Sequence, residues 1–143
     1  NASILTAIGI TGLQLYKFGK TTSIPFLDNY DHLETPYNIL RQNMLLEMHT
    51  LSLLDLKPEE KRFMTVNQAL DILENIEQRK KENVIKKGMM GVGCARLGND
   101  NYIIKAGSIE KIKKMNFGKP LHCLIIPAKK LHLAEEEMLK MWS

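Results

Sequence analysis

The sequence predicts an α/β domain in which a mixed sheet is packed by helices. Segments with helical apolar spacing alternate with short apolar runs in the order α, β, α, β, α, β, β, α, β, α. One pair of runs is joined by Gly98-Asn99-Asp100-Asn101, whose turn chemistry implies a hairpin and so an antiparallel pair within the sheet. The chain has 143 residues, 44% hydrophobic and 25% charged, which is one ordinary globular domain. That composition excludes disorder, a collagen repeat and a disulfide scaffold. No run approaches the roughly 18 apolar residues of a membrane-spanning helix.

Asn1-Ala2-Ser3 offers capping oxygens ahead of Ile4, Leu5, Ile8 and Leu15, which fit one helical face, with Gly9 and Gly12 as points of close packing. Thr21 to Ile24 reads as a short strand that Pro25 ends or places near an edge. Thr35-Pro36 starts a helix, with Thr35 as N-cap and proline at the first helical position, where no amide donor is missed. Ile39, Leu40, Asn43, Met44 and Glu47 continue it. His49 to Leu56 is a nearly unbroken apolar run, short enough for a buried strand. Lys57 to Arg62 is charged and reads as a loop.

Thr65 with Gln68 three residues on makes a capping box. Val66, Ala69, Leu70, Leu73 and Ile76 then form a helical stripe that runs into Arg79-Lys80-Lys81, basic residues suited to a helix C-terminus. Gly91 to Leu97 and Tyr102 to Ala106 are the strands of the hairpin. Ser108 caps a short helix through Met115, and Leu121 to Ile126 is another buried strand. In the last helix Ala134, Met138, Met141 and Trp142 share a face opposite Glu135, Glu136 and Lys140, the apolar face being core or interface.

The net charge of +4 permits an acidic partner without demanding one. The basic clusters Arg79–Lys81, Lys86–Lys87 and Lys111–Lys114 fall at helix ends and on polar faces, so no specific nucleic-acid binding is expected of them, and the apolar face of the last helix is not expected to anchor a membrane. Cys94 and Cys123 lie in apolar runs, which suits a reducing compartment. With His32, His49, His122 and His132 they make no metal-ligand spacing, and no metal is expected. The chain opens on Asn1 inside an amphipathic pattern, as a processed protein or a piece of a longer one would.

Few residues suggest chemistry by themselves. Gly91-Val92-Gly93 begins like a dinucleotide fingerprint but lacks the third glycine, and Cys94-Ala95-Arg96 prolongs the strand. Glycines that something approaches closely fit better. Asp55 stands at a strand's carboxyl end, where α/β sheets present ligand contacts and where a merely satisfied carboxylate also sits. His122 lies in an apolar strand, as core histidines and site histidines both do. Read this way the chain is an α/β domain with a ligand half-site, or a stand-alone basic binding module without catalysis.

A series of motifs goes further. Asn1-Ala2-Ser3-Ile4, Gly12-Leu13-Gln14-Leu15-Tyr16-Lys17-Phe18-Gly19 and Thr22-Ser23-Ile24-Pro25-Phe26 stand in that order. His49-Thr50-Leu51 with Leu54-Asp55, then Met64-Thr65-Val66-Asn67-Gln68-Ala69, follow. Ala95-Arg96-Leu97-Gly98 and Phe117-Gly118-Lys119-Pro120-Leu121-His122 complete the series. Together they resemble the diphthine synthases from end to end of the chain. The resemblance implies the tetrapyrrole-methylase fold, in which two α/β domains clamp S-adenosylmethionine between them. It implies methylation of the amine of a modified histidine on translation elongation factor 2, in diphthamide biosynthesis, by cytoplasmic homodimers. Residues 1–143 would then be the carboxyl-terminal domain, with 1–20 the interdomain segment and the amino-terminal domain absent.

Carried over motif by motif, the cofactor contacts implied are Ser3 and Ile4, Leu54, Leu97 and His122, with Gly91 and Gly93 as space beside a ligand. The sulfonium of S-adenosylmethionine already activates its methyl group, so positioning and desolvation suffice, S-adenosylhomocysteine is the product, and neither a metal nor a catalytic base is named. The link between Asp55 and Met64 is short where some relatives carry an insertion. Whether methylation stops at the trimethylated amine or continues to a methyl ester stays open at this level.

Overall fold

The structure, a computed structural model, describes residues 2–29 and 32–143; Asn1 and the side chains of Ala2, Ser3 and Asn29 lie outside that description. The strands are β1 (Thr22–Ile24), β2 (Thr50–Leu54), β3 (Leu56–Lys57), β4 (Arg62–Phe63), β5 (Met90–Ala95), β6 (Ile103–Ser108) and β7 (His122–Ile126). The helices are α1 (Ala2–Ala7), α2 (Thr35–Leu45), α3 (Val66–Lys80), α4 (Ile109–Lys113) and α5 (Leu133–Met141). Five strands make one mixed sheet, as the alternating pattern predicts, and their order is β1-β2-β7-β5-β6. β1 pairs parallel to β2; the other pairings are antiparallel. Because β7 runs against both neighbours, its amino end meets the carboxyl ends of β2 and β5 at one edge.

Alternation along the strands builds two cores. On one face Ile24, Leu54, Ala95, Leu124 and Ile126 pack beneath α2, α3 and α4, through Tyr37, Leu40, Leu70, Leu73, Ile109 and Ile112. On the other, Leu51, Val92, Cys94, Cys123 and Ile125 pack beneath the first segment and α5, through Ile8, Leu13 and Leu139. α3 starts on the expected capping box: Gln68 N–H donates to Thr65 Oγ1 at 3.1 Å, and Thr65 N–H donates to Gln68 Oε1 at 2.9 Å.

Gly91 and Gly93 are close-approach glycines, but what approaches is the core. A Cβ at Gly93 would lie 2.4 Å from Cζ of the buried Phe117 ring, and one at Gly91 would lie 3.2 Å from Ile109. The expectation of space beside a ligand is therefore corrected. Phe117 in turn meets His122 edge-on at 5.9 Å. Gly93→Ala is expected to cost about 1–3 kcal/mol by overpacking, read as a lower urea midpoint; an unchanged midpoint would show that Phe117 moves freely.

Several elements depart from expectation. The first helix does not run to Leu15. α1 ends at Ala7, a 3-10 turn covers Ile8–Thr11, and Gly12 closes it at φ 88° with Met138 packed where its Cβ would stand. Leu5 and Leu15 are exposed. α2 starts one residue early, with Glu34 at the N-cap, because Asn38 N–H closes the first turn onto Glu34 O at 2.9 Å. The charged stretch after β2 holds the small β3–β4 hairpin, with Arg62 and Lys57 both on Asp28.

The last helix turns a different face inward. Glu135 and Leu139 are buried and Met138 and Trp142 half-buried, while Ala134 and Met141 are exposed. Glu135 faces inward because four donors await it. Oε1 accepts from His132 N–H at 2.9 Å and Lys17 Nζ at 3.1 Å; Oε2 accepts from Gln14 N–H at 2.9 Å and His49 Nε2–H at 2.7 Å. Burial alone would raise this carboxyl's pKa. The Gln14 and His132 amides, then His49 and Lys17, outweigh it and hold the group down at about 2. With Trp142 Nε1 donating to Thr11 O at 3.0 Å, α5 clasps residues 11–17 to the sheet.

Three residues of the basic clusters answer partners within the chain. Arg79 donates to Leu33 O, Lys80 meets Glu34 and Asn38, and Lys113 meets Asp71 and Glu74. Among the described residues no helix is long and apolar enough to cross a membrane.

Candidate functional site

A concavity of about 470 Å³ opens at the edge where β2, β5 and β7 meet. Leu53, Leu54 and Leu56 form one wall, from the end of β2 and the start of β3. Arg96, Leu97, Gly98 and Asn99 form another, where β5 turns toward β6. Leu121, His122 and Cys123 enter from the start of β7, and Ile4 reaches over from α1. A second concavity of about 260 Å³ shares Leu53, Leu54 and Leu56 and continues past Pro25 and Asp55.

The structure thus brings Ile4, Leu54, Leu97 and His122 into one site from four separate segments. The Ser3 side chain lies outside the described residues. Asp55 is a satisfied carboxylate: it accepts from Phe26 N–H and from Leu56 N–H, each at 2.9 Å, and pins the crossover between β2 and β3. Among the described residues no three His, Cys, Asp or Glu side chains cluster as metal ligands would.

His122 is fully engaged. Its Nε2–H donates to Gly118 O at 2.9 Å, and its Nδ1 accepts from Val66 N–H, at the start of α3, at 3.3 Å. Burial first, with the Arg96 charge adding to it, pushes the pKa down, against the Gly118 and Lys119 contacts that raise it. The imidazole is therefore neutral with both nitrogens committed. It cannot take a proton without breaking the bond to α3, so it offers the cavity a fixed wall and not a base.

Sequence reading passed over Arg96 and Asn99 as site residues, although Arg96 stood in a quoted motif. Arg96 has φ 53° and binds three carbonyls, those of Asn101, Phe117 and Lys119, joining the hairpin turn to the loop before β7. Nothing in local patterning signals that arrangement, since its partners lie as far as 23 residues away.

The cavity's walls suit an adenine-bearing ligand: a slot with mostly apolar sides and a few polar groups, of a size ordinary for small-molecule sites.

Comparison with known proteins places the chain. No protein-family model matches it. A diphthine synthase from Methanocaldococcus jannaschii is 49% identical over 140 residues, which are 96% of this chain and 54% of that protein. One from Methanococcus maripaludis is 50% identical over 138 residues, with the same coverage of both. A crystal structure of a candidate diphthine synthase from Entamoeba histolytica superposes with a TM-score of 0.94 at 38% identity, over 99% of this chain and 57% of that one. A further diphthine synthase crystal structure matches with a TM-score of 0.80 at 35% identity, over 98% and 51%. The chain spans about half the length of the curated relatives it matches. From one end to the other, in sequence and in fold, the chain is similar to the carboxyl-terminal half of the diphthine synthases.

Proposed function

We propose that residues 1–143 are the carboxyl-terminal domain of a cytoplasmic, homodimeric methyltransferase, with 1–20 as its interdomain segment. It uses S-adenosylmethionine to methylate the amine of a modified histidine on translation elongation factor 2, in diphthamide biosynthesis. The observation that carries this reading is the convergence of Ile4, Leu54, Leu97 and His122 on one cavity, positions that match the family's cofactor contacts. The alternative, a stand-alone basic binding module, has against it a similarity that runs the length of the chain to proteins about twice as long.

Ser3 and Ile4, Leu54, Leu97 and His122 would hold the cofactor. Bound there, it supplies a methyl group already activated by the sulfonium, and leaves as S-adenosylhomocysteine. The chain's own work is placement. The leucine walls exclude water and give the adenosine an apolar bed, and His122 holds the β7 edge against α3. No base or metal is assigned.

The test is calorimetry with S-adenosylmethionine on a protein carrying both halves, wild type against Leu97→Asp. A carboxylate forced into the apolar wall is expected to weaken binding roughly 100-fold, about 3 kcal/mol. Unchanged affinity would put the cofactor elsewhere.

A further inference from the structure

Among the residues that line the main cavity, Arg96 alone carries a formal charge. No carboxylate of the described residues pairs with it, whereas Arg41 meets Glu82 and Arg62 meets Asp28. A cation in the wall of a mostly apolar slot is unbalanced unless a ligand brings the opposite charge.

The group is also pre-oriented. Nε donates to Asn101 O at 3.1 Å, and Nη1 donates to Phe117 O at 3.0 Å and to Lys119 O. The guanidinium lies against Gly118, itself at φ 73°, where a Cβ would stand 3.4 Å from Nη1 and 3.8 Å from Nη2. Three bonds and one flat contact fix its plane. Nη2 donates to no acceptor among the described residues and is not fully buried. With Nε–H and both Nη1 hydrogens given to carbonyls, Nη2 is the nitrogen left to donate to an anion, and most of the ordering cost is met before the ligand arrives.

We propose that Arg96 is the carboxylate-binding residue of this cavity and that its ligand is the carboxylate of an α-amino-acid group. Two molecules of the proposed reaction could carry it: the methionyl end of the cofactor, or an acceptor side chain that bears a carboxyl beside its amine. The proposal rests on the methyltransferase reading. It adds a specificity-determining residue that lies outside the motif-matched contacts.

The experiment uses a protein with both halves. Calorimetry compares S-adenosylmethionine with its decarboxylated analogue, and steady-state kinetics compares the elongation factor acceptor with one whose side-chain carboxyl is amidated. If the cofactor supplies the carboxylate, wild type binds the decarboxylated analogue at least tenfold more weakly, and Arg96→Gln binds the two forms alike. If the acceptor supplies it, the two cofactor forms bind alike. The amidated acceptor then shows at least a tenfold higher KM on wild type with kcat retained, and Arg96→Gln raises KM for the native acceptor by the same factor. Each wild-type comparison says which molecule carries the carboxylate; where Arg96→Gln misfolds, Arg96→Lys, which keeps the charge but has no Nη2, is read in its place and is expected to lose most of the same discrimination. Wild type that distinguishes neither pair overturns it, as does a variant that loses stability while both discriminations persist. Wild type that binds neither cofactor form overturns the methyltransferase reading and this one together.

Discussion

Glu135→Gln is expected to destabilise the chain by roughly 3–5 kcal/mol, the usual cost of breaking a buried charge network from one side. The substitution keeps the shape and removes the charge. Each carboxylate oxygen accepts two donors: His132 N–H and Lys17 Nζ on one, Gln14 N–H and His49 Nε2–H on the other. An amide nitrogen in either orientation would face two donors with nothing to accept them. Lys17 would also lose the one carboxylate partner it has among the described residues. The check is the urea midpoint of the variant, and a loss below about 1 kcal/mol would show that the network relaxes around the amide.

The same group sets an acid limit. A carboxyl held at about 2, below its ordinary 4.5, contributes stability that is complete above 4.5 and is lost as pH falls toward 2. His49 and His122 act in the same direction at higher pH. Burial holds both below the ordinary 6.5, so the unfolded chain takes up their protons first, and stability begins to fall once pH drops beneath 6.5. Acid unfolding should therefore begin with the histidines and steepen below 4.5, and Glu135→Gln should flatten the lower part.

The second large effect concerns the ligand. The 143-residue chain by itself is expected to bind S-adenosylmethionine on the order of a thousandfold more weakly than a protein with both halves, about 4 kcal/mol of lost contact. The cavity lies at a sheet edge, and two of its rim leucines are open to water, Leu56 at 42% and Leu121 at 56%. A ligand seated there would be walled on one side only. Methyl transfer should suffer more than binding, because donor and acceptor must be held at near-attack geometry in a dry cleft. Calorimetry on the chain alone, then with the relatives' amino-terminal half added in trans, decides it. Micromolar affinity without that half would overturn the half-site reading.

Local chemistry was legible from the residues. The Thr65–Gln68 capping box, the Gly98–Asn101 hairpin turn and the Ser108 cap each act within a few positions, and each formed as expected. The inward face of α5 was not legible in the same way. Glu135, Met138, Leu139 and Trp142 have proper helical spacing, but a carboxylate reads as a solvated residue until its four donors are known, and three of them, from Gln14, Lys17 and His49, lie at least 86 residues away. The candidate site was legible only through motif resemblance. Its walls come from segments up to about 118 residues apart, between Ile4 and His122, and no periodicity connects them. Gly93 shows the converse: close approach was correctly read, but the approaching body, Phe117, is 24 residues away and belongs to the core.

The clasp of α5 on residues 11–17 imposes an order on synthesis. Its bonds join positions 118 to 131 residues apart, far beyond the spans of the β5–β6 hairpin or the α3 capping box. While the chain is still emerging from a ribosome, the opening segment has no clasp to receive it, whereas the hairpin and the α3 capping box can already close. The wall that carries Ile4 is therefore the last to be set, only after Trp142 has been made. A nascent chain arrested before Leu133 would expose the whole apolar underside of the sheet, Leu51, Val92 and Ile125 included, and that is the stage at which a chaperone would find the most to hold.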